Sequence, residues 1–124
     1  MDNILGGTMS FKSRRETIGE NINVEFIFPI HEIDSFNGEE LKVFVEGIIG
    51  EVNSVVINFS DITYLNSSGL RELIQLFKVL KERDKALIFS NVSDDIYKIF
   101  VHTNLNRLFT IVSDDEEART KLLK

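Results

Sequence analysis

Two near-continuous apolar runs, SVVINF at residues 54–59 and ALIFSN at residues 86–91, each lead into a stretch whose apolar residues recur at helical spacing. A strand that is apolar on both faces has to be covered on both, so runs of this length suit the centre of a sheet flanked by helices. After the first run, Leu70, Leu73, Ile74, Phe77 and Leu80 define a helix that ends near RDK. After the second, Ile96, Ile99 and Phe100 define another, with Ser93 as its cap, Asp94 and Asp95 matching its dipole, and Asn104 suited to the left-handed residue that ends it.

The alternation extends to both ends of the chain. VEFIFPI at residues 24–30 reads as a strand with its proline near the exit, and a weaker strand over 11–18, turned by GEN at 19–21, would make a hairpin with it. Leu41, Phe44, Val45 and Ile48 form a helical stripe, preceded by Asn37 and Glu40 in the spacing of a capping box, with Phe36 placed to staple onto Leu41. LFTIV at 108–112 reads as a last strand, and SDDEEARTKLLK as a terminal helix with acids first and bases last. The order is β-β-α-β-α-β-α-β-α, which predicts the α/β class: a mostly parallel sheet of four to five strands flanked by four helices and joined by right-handed crossovers. Val56, Ile57, Phe59, Leu73, Phe77, Leu87, Ile88 and Phe100 are expected to share one core. A chain of 124 residues fits one domain. Residues 10–124 are assigned to that domain, and residues 1–9 are read as a flexible leader.

Composition removes several classes of function. A net charge of −6 opposes sequence-independent attraction to nucleic acid. With no Cys and two isolated His, no metal cluster or thiol nucleophile is expected. No signal-peptide h-region or membrane-spanning run occurs, so a cytoplasmic protein without membrane insertion is expected. No phosphate-binding glycine motif points to a nucleotide, and no cofactor is expected. Asp61 with Glu72, or the acids at 114–117, could be offered as acid/base pairs, but neither has a nucleophile beside it; solvated or capping roles fit better, and no enzyme is expected. His31 reads as a loop residue and His102 as a favourable cation near the end of the third helix.

The stretch ITYLNSSGLRELIQLF, residues 62–77, sets two serines where an apolar approach becomes a helix. In α/β sheets, reactive groups and ligands gather at such strand-to-helix junctions, where backbone N–H groups point outward. One of Asn66, Ser67 and Ser68 can serve simply as the N-cap. Alternatively, a phosphate on Ser67 would meet the positive helix end, leave the fold intact and change a docking surface by about two negative charges. Gly69 costs the helix stability, yet leaves bare backbone that another protein could approach.

Residues 55–118, from VVINFSDITYLNSSGL to NLNRLFTIVSDDEEA, resemble the STAS domain, shared by bacterial anti-sigma factor antagonists and the cytoplasmic ends of sulphate transporters. NSSGL falls on the family's motif of Asp, Ser, Ser or Thr, Gly, Leu, with Asn66 where the family usually has Asp. The resemblance implies that Ser67 is the phosphoacceptor and that Asn66, Ser68, Gly69 and Arg71 belong to the partner-binding surface. It implies an anti-sigma factor serine kinase as partner, a PP2C-type phosphatase that restores the unmodified form, and a possible homodimer. The alternative is an unphosphorylated STAS docking module of a transporter or a larger signalling assembly.

Overall fold

The structure, a computed structural model, describes residues 11–124; the leader assigned to residues 1–9 lies outside the described residues. In chain order the elements are β1 (Phe11–Ile18), β2 (Ile22–Pro29), β3 (His31–Ile33), α1 (Ser35–Ile48), β4 (Ser54–Asn58), β5 (Ile62–Leu65), α2 (Ser67–Glu82), β6 (Ala86–Ser90), α3 (Asp94–His102), β7 (Thr110–Val112) and α4 (Asp115–Leu122). Five strands make the main sheet in the order β1-β2-β4-β6-β7, antiparallel only in the first pair. This is the expected α/β order, with the hairpin turned at Gly19 by a φ of 58°.

The strands sort their side chains by the period of two that a pleated backbone imposes. Ile27, Val55, Ile57, Leu87 and Phe89 face α1, α2 and α3, where Leu41, Val45, Leu73, Leu76, Leu80, Ile96 and Phe100 close over them. Val24, Phe26, Val56, Ile88 and Val112 face the other way and pack with Ala118 of α4. The single core expected from sequence is therefore two cores separated by the sheet, with Val56 and Ile88 in the smaller one. Phe77 is only half-buried and lies at the margin of the larger core, its ring edge-on to Phe109 with centroids 6.1 Å apart.

Several ends differ from expectation for local reasons. The last strand is only Thr110–Val112, because Leu105–Arg107 forms a 3-10 turn and Leu108 caps it. Asn104 is left-handed, at φ 62°, as expected of the residue that ends α3. Glu16 of β1 receives Arg119 of α4 at 2.8 Å, and the same guanidinium stacks on Phe26 with 5.0 Å to the ring centroid. That bidentate pair holds the Glu16 carboxyl below the usual carboxylate range, chiefly through the Arg119 hydrogen bonds. It also ties the outer hairpin to the last helix.

The larger departure is a second, two-stranded sheet. β3 and β5 pair in parallel, Ile33 opposite Leu65, apart from the main sheet. His31, expected in a loop, opens β3 with a left-handed φ of 70°, and the register of β3 against β5 shifts between His31 and Glu32.

Candidate functional site

The short β3–β5 pair decides where the serines sit. Each of its strands runs straight into a helix, β3 through Asp34 into α1 and β5 through Asn66 into α2. Because the strands are parallel and in register at Ile33 and Leu65, both helices start at the same end of the pair and point the same way. Their positive ends lie at one surface.

The first helix start is closed. Asp34, rather than Asn37, is its N-cap: one carboxylate oxygen accepts from the Phe36 N–H at 2.9 Å and the Asn37 N–H at 3.0 Å. Asn37 completes the capping box from the N3 position, its side-chain oxygen accepting the Asp34 N–H at 2.8 Å. The expected box from Asn37 to Glu40 is therefore displaced by three residues, and Phe36, 82% exposed, makes no staple. Hydrogen bonding from the Asn37 N–H, with smaller contributions that include Glu32, holds the Asp34 carboxyl below the ordinary Asp range. Glu32, which shares a hydrogen bond with Asp34, is held above its ordinary value.

The second start is more open. Asn66 is the cap of α2, its side-chain oxygen accepting the Gly69 N–H at 2.8 Å. Ser67 is therefore the first helical residue, and it is exposed; Ser68 follows, half-buried. Among the described residues neither serine hydroxyl makes a hydrogen bond, so neither is needed as the cap. Arg71, one helical turn beyond Ser67, is exposed and has no ion-pair partner among the described residues. Tyr64, 55% exposed, and Phe36 add aromatic surface on the two arms that lead into this region.

Gly69 has an internal explanation. It is buried, and a Cβ there would stand 2.0 Å from the Ile33 carbonyl oxygen. Its missing side chain lets β3 pass against the first turn of α2, so the bare backbone faces inward rather than toward an approaching protein. Gly38 acts similarly in α1, where a Cβ would stand 2.7 Å from Cβ of Glu72. Together the two glycines bring the starts of α1 and α2 close.

The structure does not gather the other acids into a catalytic arrangement. Glu72 reaches Lys42 across the α1–α2 contact at 3.7 Å, whereas Asp61 is exposed in the turn before β5, and no hydrogen bond or ion pair joins the two acids. At 114–117, Asp114 caps α4 by accepting the Glu117 N–H at 2.8 Å, and Glu117 accepts the Ser113 N–H at 2.6 Å. Asp115 instead takes the Ser90 hydroxyl at 2.6 Å and the Asn58 amide at 3.1 Å, tying α4 to the ends of β4 and β6. Sequence reading missed Asp34, although Asp-x-x-Asn is a capping pattern, and it missed β3 and β5 entirely.

Among the described residues no helix is long and apolar enough to cross a membrane. The chain matches the STAS domain over residues 18–118. It is 27% identical over 92 residues to an anti-sigma-B factor antagonist of Listeria monocytogenes, a match covering 73% of this chain and 81% of that protein. Its fold is similar to a structure from Thermotoga maritima, with a TM-score of 0.77 at 17% identity over 90% of this chain and 95% of the other. It is also similar to the Bacillus cell fate determinant SpoIIAA in its phosphorylated form, with a TM-score of 0.62 at 19% identity over 86% of this chain and 96% of that one. The match over most of the chain, on a fold of the same kind, establishes that this chain belongs to the STAS domain family.

Proposed function

We propose that the chain is an anti-sigma factor antagonist whose docking to an anti-sigma factor serine kinase is switched by phosphorylation of Ser67. The observation that carries this reading is the division of labour at the start of α2: Asn66 holds the cap, leaving the Ser67 hydroxyl exposed and without a hydrogen-bond partner among the described residues. A phosphate there meets unpaired helical N–H groups and the positive helix end, and Arg71 one turn on supplies a cation. The modified protein stays folded while its docking face changes charge. The similarity to anti-sigma-B factor antagonists, and the existence of a phosphorylated form of SpoIIAA, support the same reading.

In this mechanism the chain works in the cytoplasm by binding, without turnover or cofactor. Asn66, Ser68 and Arg71 contribute to the contact surface, and Gly69 contributes by setting the helix start against Ile33. A PP2C-type phosphatase returns the protein to its binding form. The test is phosphosite mapping by mass spectrometry on protein isolated from its own cell, combined with calorimetry against the serine kinase recovered with it. Phosphate is expected at Ser67 and not Ser68, with affinity lost on modification and kept in Ser67→Ala. Unmodified Ser67 under all conditions, together with equal affinity of unmodified and chemically phosphorylated protein, would overturn the switch. That outcome would leave the second reading, a constitutive docking module, which the neutral Asn66 in the cap position favours.

A further inference from the structure

The two serines at the start of α2 meet different charges. Arg71 stands four residues after Ser67 and Glu72 four residues after Ser68, so each serine shares a helix face with one of them, about 5–6 Å away between Cβ atoms. Glu72 lies on the side of α2 that meets α1, where a Cβ on Gly38 would stand 2.7 Å from Cβ of Glu72. Ser68, on that side, is half-buried, whereas Ser67 is exposed. α1 and α2 run the same way, and Asp34 precedes Gly38 by four residues as Ser68 precedes Glu72. One turn back from the Gly38–Glu72 contact therefore brings Ser68 toward the Asp34 carboxylate. This seam is already crowded with acids. Oε1 of Glu72 is buried without a hydrogen bond among the described residues, and Lys42 answers it only from 3.7 Å. Glu32 is held above its ordinary value, chiefly by the hydrogen bond it shares with Asp34.

Resting on the reading of Ser67 as the switch, we propose that Glu72 and Asp34 reserve modification for Ser67 by making a phosphate dianion unfavourable on Ser68. A phosphate adds about two negative charges. On half-buried Ser68 it would be partly desolvated beside like charges, and both conditions disfavour the doubly ionised form. On exposed Ser67 it stays in solvent, with the Arg71 guanidinium one turn away. The positive end of α2 favours an anion at either position and does not separate them. The carboxylates across the seam do.

The test needs no kinase. Phosphoserine is placed genetically at Ser67 or at Ser68 of the full chain, and phosphorus NMR follows its second ionisation, which ordinarily falls near about pH 6. The midpoint is expected to be higher at Ser68 than at Ser67, by roughly 0.5 pH or more. Glu72→Gln, and separately Asp34→Asn, which keeps an acceptor for the cap, should lower the midpoint at Ser68 and move that at Ser67 by less than half as much, with amide dispersion preserved. Equal midpoints at the two serines in the parent chain would overturn the proposal, as would a midpoint at Ser68 that either folded variant leaves in place. Because no kinase takes part, these titrations are decided separately from whether the cell modifies Ser67, which phosphosite mapping answers.

Discussion

α1 and α2 leave neighbouring parallel strands and begin at one surface, but their first turns are built differently. Asp34 places a full negative charge at the start of α1 and takes two backbone N–H groups, with Asn37 returning a hydrogen bond to Asp34. Asn66 takes one N–H at the start of α2, brings no charge, and has at its N3 position a glycine with no side chain to return a bond. A helix start carries roughly half a positive charge. In α1 that charge is met within the chain; in α2 it faces outward beside a hydroxyl that has no hydrogen-bond partner among the described residues. The closed start serves stability, and the open one is where an added anion has the most to gain.

The largest expected effect tests what brings the two starts together. A Cβ at Gly69 would stand 2.0 Å from a backbone carbonyl, which cannot rotate away, so β3 and α2 must separate. Gly69→Ala should lower stability by about 3 kcal/mol or more, the upper part of the overpacking range. Gly38→Ala meets the base of the Glu72 side chain at 2.7 Å. Because alanine also favours the helix by about 1 kcal/mol, its net loss should be nearer 1–2 kcal/mol. Urea melts of both variants give the order. A neutral Gly69→Ala would mean that Ile33 does not constrain this position and would return the glycine to a role on the partner surface.

Removing the caps should separate the starts next. Asp34→Ala is expected to cost about 1–2 kcal/mol and Asn66→Ala about 1 kcal/mol, since only the first breaks a reciprocal box. Acid should distinguish them further. Asp34 has its folded pKa lowered, chiefly by the Asn37 N–H, so its contribution is complete above the unfolded Asp value and is lost as pH falls through the folded one. Glu32 has a raised folded pKa, so its opposing contribution is relieved earlier in the same descent. Thermal melts from neutral pH into the acid range should therefore show a loss at the low end that Asp34→Asn reduces and Asn66→Ala leaves in place. An unchanged acid limb in Asp34→Asn would mean that the cap does not carry that pH dependence.

How much of this was legible in the sequence depends on the length of the signal. Runs such as residues 54–59 and 86–91 read as central strands because burial on both faces demands apolar side chains throughout, and the main sheet and its four helices follow from them. β3 and β5 are too short for a period of two to emerge, and their pairing is set by a partner far away in sequence. Without that pair, the nearness of Asp34 and Asn66 cannot be read. Gly69 shows a related limit: its glycine is dictated by a carbonyl that arrives from β3, whereas the local pattern showed only a costly residue in a helix. The expected single core failed at Val56 and Ile88 because alternate residues of a buried strand enter different layers. Phe77, half-buried, should accordingly lose less on truncation to alanine than fully buried Phe100, for which about 3–5 kcal/mol is expected.

A smaller effect comes from making the open start resemble the closed one. Asn66→Asp keeps the acceptor for the Gly69 N–H and adds charge at the helix end, so a gain of about 0.3–1 kcal/mol is expected near neutral pH, declining with added salt. The same substitution brings the sequence to the family's usual Asp. Under the proposed function it should make Ser67 a better substrate for the cognate kinase, measured as the initial rate of phosphate transfer. A rate that stays the same or falls would remove Asn66 as the feature that tunes modification.

The smallest expected effect falls on Ser67. Its hydroxyl makes no hydrogen bond among the described residues, the side chain is exposed, and the cap is supplied by its neighbour. Ser67→Ala should therefore change stability by less than about 0.5 kcal/mol, as surface substitutions away from special features do. This near-silence separates the two accounts of the serine. If the hydroxyl were part of the helix cap, its loss would cost about 1 kcal/mol and would appear in urea melts of unmodified protein. If it is a modification site, melts of unmodified Ser67→Ala coincide with those of the parent chain, and the difference emerges only after treatment with the kinase. Phosphorylated parent protein should then melt at least as high as the unmodified chain, because the added charge lies at the positive end of α2, while losing its partner. A clear destabilisation by alanine before any modification would close the gap between the two helix starts and make Ser67 a structural residue.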